Sequence, residues 1–333
     1  MLSRVANSIY WMSRYVERAE NVARFVDVNL KLMLDTPDGL GQQWQPVVNI
    51  TGDDEDFKKR YPEASEQYVI HFLTFDRENP NSIISCLSAA RENARSVREI
   101  ISSEMWLQLN EFYLAVRSAA EVGYGVTSPH DFFDQVKSNS HLFSGVTDAT
   151  MTHGEAWHFS CLGRKLERAD KTSRILDVKY FILLRSVADV GTPFDEVQWA
   201  AVLRSASAFE MYRKRHGAIA PKSIVEFLLL NHEFPRSVRF CLNMALDSLR
   251  AISGNAEDST NKGPDKLLGR LCAELEYSSV DEITNSGLHD YLDALQTRMN
   301  QIGTGIHERF FAQQMPESNP AARRRNKAAE FAQ

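Results

Sequence analysis

Two degenerate copies of one helical unit constrain this chain more than any other feature. Residues 11–28 lie over residues 161–178 without a gap. The identities are Arg14/Arg164, Glu17/Glu167, Arg18/Arg168, Ala19/Ala169, Arg24/Arg174, Asp27/Asp177 and Val28/Val178, while Tyr15/Lys165 and Asn21/Lys171 differ. After a short insertion the match resumes, Gln43-Trp44 meeting Gln198-Trp199, Lys59-Arg60 meeting Lys214-Arg215 and Phe72-Leu73 meeting Phe227-Leu228. Further on, Glu78, Pro80, Ser82, Cys86-Leu87 and Arg95 meet Glu233, Pro235, Ser237, Cys241-Leu242 and Arg250. A generic helical core would repeat its apolar positions alone. Here charged and turn residues recur with them.

The repeat predicts an all-α fold, a multi-helix bundle built from two pseudo-twofold-related units. The first covers 1–150 and the second 151–312. No linker separates them, because Asp148–Phe159 runs straight into the second copy, so they are expected to pack as one body. Residues 313–333 are rich in Pro, Ala and Arg with few large apolar side chains, the composition of a disordered tail.

On a wheel of about 100° per residue, Trp11, Tyr15, Ala19, Val22 and Val26 gather on one side of a helix over 3–34. Glu17, Glu20, Asn21, Arg24 and Asp27 gather on the other. Pro37 and Gly39 stop it. The acidic run Asp53–Asp56 suits the start of a short helix. Tyr68–Phe75 alone reads as strand or helix, and the helix-like Ser223–Leu230 in its repeat partner decides for helix. Pro80 and Pro235 precede helix starts at Ser82 and Arg236, where the first turn tolerates a missing N–H. Long helices are expected over 82–102, 104–124, 130–145, 148–187 and 236–252, then 265–277 and 281–314 with a break at 285–287.

The repeated charges admit two readings. Glu20–Arg24 and Asp170–Arg174 are i,i+4 pairs and Arg14–Glu17 and Arg24–Asp27 are i,i+3 pairs, such as solvated helix faces carry for about 0.2–0.5 kcal/mol each. Duplicated helices about a twofold would instead bring Glu17, Arg24, Glu167 and Arg174 together. Arg at every repeated basic position of residues 11–28 and 161–178 favours planar, bidentate pairing. The candidate site is therefore Arg14, Glu17, Arg18, Asn21, Arg24, Arg164, Glu167, Arg168, Asp170 and Arg174. Whether it is a structural lattice or a ligand cleft stays open from the residues alone. A second charged cluster comprises Arg91, Glu92, Asn93, Arg95 and Arg98, with Arg236 and Arg239 after the second Pro turn. Its repeat partner keeps Arg250 as its one matched charge, so a site there would be asymmetric.

Other chemistry is thinly represented. Glu155 and His158 have the Glu-x-x-His spacing of di-iron bundles, but those need a second such pair and two more Glu. His153 and His158 do not form His-Glu-x-x-His. No phosphate-binding Gly loop or nucleophile elbow occurs, and no cofactor or metal is expected. The four cysteines, Cys86, Cys161, Cys241 and Cys272, lack metal spacing and fit a reducing compartment, and Cys86 and Cys241, at equivalent repeat positions, read as buried small hydrophobes. The net charge of −6 argues against nucleic-acid binding through a basic face. No apolar run approaches the ~20 residues of a membrane helix, and the cytoplasm is the expected location.

The segment Tyr10–Arg24 resembles the opening of the bacterial alpha-E domain family, all-helical proteins with a Glu-Arg motif. Ala90–Glu99, Thr147–Met151, Leu166–Tyr180 and Glu233–Arg239 resemble it too. The resemblance spans nearly the whole chain apart from the tail. It implies an all-helical protein encoded beside circularly permuted ATP-grasp proteins and transglutaminase-like peptidases, in a system making or processing a peptide-like product. On that basis the chain is expected to be a helical accessory protein whose Arg/Glu faces bind the ATP-grasp ligase, with a transglutaminase-like peptidase as a further partner, or hold an anionic peptide-like product. The alternative is an enzyme of the same system whose Glu/Arg cleft acts on a carboxylate- or phosphate-bearing substrate. A third reading makes the chain a purely structural dimer former, with the Arg–Glu lattice inside the protomer.

Overall fold

The computed structural model describes residues 1–34, 44–122, 128–181, 192–254 and 263–312. Among these the chain is all-α, with fifteen α-helices and no strand. The first half runs α1 (Ser3–Leu34), α2 (Gln45–Thr51), α3 (Asp54–Arg60), α4 (Glu66–Thr74), α5 (Ile83–Ser96), α6 (Ser103–Val122) and α7 (Pro129–Thr150). The second runs α8 (Glu155–Phe181), α9 (Pro193–Ser205), α10 (Phe209–His216), α11 (Pro221–Leu230), α12 (Val238–Ser253), α13 (Pro264–Tyr277), α14 (Val280–Ser286) and α15 (Leu288–Ile306), closed by one π-helical turn, His307–Phe311. Helices α3, α4 and α5 start at 54, 66 and 83, and α10, α11 and α12 at 209, 221 and 238, one constant register. The expected tail at 313–333 lies outside the described residues.

Helices α1 and α8 are the central pair. Ile9, Met12, Val16, Ala19, Ala23 and Val26 form the buried stripe of α1, and Phe159, Leu162, Leu166, Ala169, Ser173 and Leu176 that of α8 at the matching positions. The spacing of three and four residues is that of one helix face. The two helices cross on small residues. Ser13 and Ser160 hydroxyls meet at 2.8 Å, and a Cβ at Gly163 would lie 2.4 Å from the Tyr10 carbonyl oxygen. Position 13 thus meets position 160 and position 163 meets position 10, the reciprocity of like units facing each other. Around this pair, α1 packs on α5 and α7 as α8 packs on α12 and α15. One core cluster runs through both halves.

Several boundaries differ from expectation. Helix α5 ends at Ser96 rather than 102, because Val97 leaves helical geometry at φ −130°. Helix α7 runs to Thr150, past the expected 145, and Met151–Gly154 then break the single helix expected over 148–187. Pro80 and Pro235 stand before the N-caps rather than in the first turn. Ser82 and Ser237 do the capping, accepting from the backbone N–H groups of Ser85 and Phe240. All four cysteines are buried and unbridged. Cys86 and Cys241 donate to the carbonyls of Pro80 and Pro235, the same contact in both copies.

Candidate functional site

The charged faces of α1 and α8 meet each other instead of water. Arg168 Nε and Nη2 donate to Glu17 Oε1 and Oε2 at 2.8 and 2.7 Å. Arg18 Nε and Nη2 donate to Glu167 Oε1 and Oε2 at 2.7 and 3.0 Å. Both are fork-to-fork pairs, and each joins the Glu of one Glu-Arg dipeptide to the Arg of the other. Glu17 and Glu167 are 1% and 0% exposed. Burial pushes the Glu167 carboxyl up, but Arg18 and Arg14 outweigh it and hold it well below the usual carboxylate range. Glu17 is depressed as well, burial being outweighed chiefly by Arg168. Desolvation alone would leave such carboxyls neutral, so the ionised state exists because the guanidinium groups are in place.

Around this shared core the two sides part. On the Glu17 side, Arg236, from the turn before α12, donates to Glu17 Oε1 and Asn21 Oδ1, both at 3.1 Å, and pairs with Glu20. Glu20 also holds Arg24, accepts from Ser140 Oγ at 3.0 Å and contacts His141 at 3.1 Å. Glu20 lies well below its ordinary value, its burial offset first by Arg236. The polar interior here is filled by protein.

On the Glu167 side, Asn81 occupies the repeat position of Arg236, between Pro80 and Ser82 as Arg236 is between Pro235 and Ser237. It accepts from Arg18 Nη1 at 2.6 Å and donates to Asp53 at 2.6 Å, and it reaches no further. Asp170 replaces Glu20 and is one methylene shorter. Arg174 Nε donates to both Asp170 oxygens at 3.0 Å. Lys171, at the Asn21 position, brings its ammonium 3.3 Å from Asp170 and 4.0 Å from Glu167. What remains is a cleft of about 470 Å³. Arg14, Arg18, Asp170, Lys171 and Arg174 line it with Asn81 and Thr51. Trp11 and Tyr10 of α1 and Met299, Asn300, Thr304, His307 and Phe311 of the final helical segment complete the wall.

Most of the candidate residues do converge, with corrections. Arg14 pairs with Glu167 of the other helix at 2.7 Å, so the intrahelical Arg14–Glu17 pair does not form. Arg24 and Arg174 stay with Glu20 and Asp170 on their own helices and do not join Glu17 and Glu167. Asp27 does not pair with Arg24. It takes Lys31, His130 and Lys137 at 2.9, 2.8 and 2.7 Å. Arg164 faces Asp148 at 3.8 Å, outside the lattice. The second cluster divides: Arg91 and Arg95 share Glu92 at 3.1 and 2.8 Å, while Arg236 and Arg239 lie elsewhere. Arg91 and Arg98 stack on Trp106, with Arg91 also over Tyr113, and Arg95 pairs with Glu92 while Asn93 caps nothing beyond a carbonyl contact to Ser96. Arg239 lies 3.5 Å from Glu276, and Arg236 alone enters the lattice. Among the described residues no three His, Cys, Asp or Glu side chains converge as a metal-ligand set, and no helix is long and apolar enough to cross a membrane.

One repeated element escaped the sequence comparison. His130 bonds Asp27 at 2.8 Å and His289 bonds Asp177 at 2.6 Å, both from the second residue of a helix. The signal was present as His130-Asp131-Phe132-Phe133-Asp134 against His289-Asp290-Tyr291-Leu292-Asp293. A further register shift ahead of α15 separates it from the rest of the match.

An all-helical protein whose two central helices exchange buried Glu-Arg pairs is the class that this geometry defines. The chain belongs to the alpha-E family. The family model, described as a predicted alpha-helical domain with a conserved ER motif, matches residues 1–311. Glu17-Arg18 and Glu167-Arg168 are the two Glu-Arg dipeptides that the duplication repeats, and a third, Glu308-Arg309, lies in the closing π-helical turn. It is also similar to uncharacterized proteins of Mycobacterium bovis and Mycobacterium tuberculosis, at 22% identity over 91% of this chain and 35% of each relative. The chain therefore spans about a third of the length of these curated relatives. No solved structure matches it.

Proposed function

We propose that this protein is a non-catalytic helical binding module of an ATP-grasp amide-ligase system, and that the cleft between α1 and α8 receives an anionic, peptide-like molecule that the ligase makes or uses. One observation carries the binding reading. Four cations, Arg14, Arg18, Lys171 and Arg174, line the cleft, and the carboxylates among them are Asp170 at the wall and Glu167 beneath, a surplus of two positive charges. The volume lies within the ~300–1,000 Å³ of small-molecule sites. The ligase as the source of the ligand rests on the family resemblance alone.

Acid–base catalysis by Glu17 or Glu167 is disfavoured. A general acid needs a pKa near the working pH, and both carboxyls are held below their ordinary values by the arginines that bury them. The test is fluorescence anisotropy with a labelled tetraglutamate peptide. Saturable binding that weakens about tenfold or more in Arg174→Gln is expected. ATP turnover by the purified chain alone, or binding indifferent to Arg174, would remove the proposal.

A further inference from the structure

We infer that the anion held in the cleft is a phosphoryl group, carried by a molecule whose apolar or planar part rests against Trp11, Met299 and Phe311. This deepens the binding reading above and depends on it.

The inference follows from which donors are already engaged. Arg14 places Nε and Nη2 on Glu167 and Nη1 on the Tyr10 hydroxyl. Arg18 places Nε and Nη2 on Glu167 and Nη1 on Asn81. Their hydrogen bonding is directed into the lattice. Arg174 bonds Asp170 through Nε alone, and its two terminal nitrogens meet no acceptor among the described residues. The Lys171 ammonium, almost fully buried, has Asp170 at 3.3 Å as its nearest partner. The unengaged donors therefore sit side by side, one turn apart on α8 and both against Asp170.

That arrangement suits one compact group with several oxygens. A single carboxylate brings two oxygens to a place where two terminal guanidinium nitrogens of Arg174 and the Lys171 ammonium are unengaged. Two separate carboxylates would need two donor centres, and the second centre, at Arg14 and Arg18, is occupied. A phosphoryl group carries about −1.5 to −2 charge and three acceptor oxygens at one atom, one oxygen for each terminal nitrogen of Arg174 and one for the Lys171 ammonium. The neighbouring Thr51 and Asn81 add polar lining. Trp11, Met299 and Phe311 supply apolar lining. Trp11 lies under the Arg14 guanidinium at 5.0 Å, and Phe311 packs at 5.2 Å on Tyr10.

The twin side shows what an occupied version of this place looks like. There the buried Arg236 guanidinium reaches across Glu17, Glu20 and Asn21, in the place a ligand would take. Asn81 is too short to do the same. It is thus the residue that keeps the ligand side open.

Isothermal titration calorimetry of the full chain at constant ionic strength tests this with three probes: phenyl phosphate, inorganic phosphate and isophthalate, a dicarboxylate on the same ring. The expected result is one phenyl phosphate per chain, inorganic phosphate weaker for lack of the ring, and isophthalate weaker by about tenfold or more. Arg174→Gln and Lys171→Gln should each lower phenyl phosphate affinity about tenfold or more at unchanged helical content by circular dichroism. Isophthalate binding as tightly as phenyl phosphate would overturn the phosphoryl assignment while leaving an anion cleft standing. Phenyl phosphate binding that both variants retain would overturn the placement. Failure of all three probes would overturn this inference, and if tetraglutamate also fails the broader binding reading falls with it.

Discussion

The Glu17 side and the Glu167 side of this molecule start from the same residues and end differently. Each has a buried glutamate in a two-pronged bond with an arginine of the opposite helix. Each has a second carboxylate one turn on that holds an arginine four residues further. On one side Arg236 closes the space, and Ser140 and His141 of α7 complete the shell around Glu20. On the other, Asn81 stands in for Arg236 and Lys171 for Asn21, and a cleft opens. Duplication gives two equal shells. A change of reach at one turn residue converts one of them from interior into surface. The same charges can then serve stability on one side and recognition on the other.

The comparison is broken most severely at Glu17. Glu17→Ala strips Arg168 of its carboxylate and Arg236 of one of its two, leaving the buried Arg168 guanidinium uncompensated. Urea unfolding should show a loss of about 3–5 kcal/mol, the magnitude of a broken buried pair. A loss below about 1 kcal/mol would mean that the lattice contributes little. Next comes the helix crossing. Gly163→Ala drives a Cβ to 2.4 Å from the Tyr10 carbonyl, and forcing the pair apart should cost about 1–3 kcal/mol. A neutral outcome would show that the crossing is loose.

The cleft side should behave in the opposite way. Arg174 is partly exposed and rests on Asp170 alone, so Arg174→Gln should stay within about 0.5 kcal/mol of the parent in the same titration. A large loss would move Arg174 from recognition into the lattice.

Acid should separate the interior from the periphery. Glu17, Glu20 and Glu167 have folded-state pKa values below their unfolded ones. Their contribution is therefore complete above the unfolded value of about 4.3 and is lost as pH falls further, with proton uptake on unfolding. Melting temperature should drop steeply below about pH 4, and Glu17→Gln should flatten that slope. The smallest effect belongs to His289, whose pKa is raised by its bond to Asp177. Its contribution is present in full below about pH 6.5 and fades as pH rises through the folded value. A histidine titration followed by NMR should place it above the ordinary range, and His289→Gln should abolish that small drift.

Much of this architecture was legible in the chain, because duplication copied charged residues as well as apolar ones. Arg14, Glu17, Arg18 and their partners at 164, 167 and 168 could be picked out as a set, and the helix class followed from the spacing of the stripes. Pairing was less legible. Spacing along one helix suggests Arg14–Glu17 and Arg24–Asp27, and which arginine meets which glutamate depends on how α1 and α8 cross, a matter of Ser13 and Gly163. Of the cleft, Arg14, Arg18, Asp170 and Arg174 were legible as charged candidates, but the rest of its lining was not. Its far wall, Met299 to Phe311, comes from the end of the described chain, and the decisive Asn81 is an ordinary turn residue until it is set beside Arg236. The His130 and His289 pair was hidden by a change of register.

The most direct test of the whole account is phenyl phosphate calorimetry on Asn81→Arg, with Asn81→Gln as the control for the lost bonds to Arg18 and Asp53. The arginine restores to the open side the reach that Arg236 has on the closed side. The account predicts that Asn81→Arg loses binding by at least about tenfold, the scale of a lost charge-assisted contact, while Asn81→Gln keeps it and both remain folded. Unchanged binding in a folded Asn81→Arg protein would contradict it, because the cleft would then not be the place where the ligand sits.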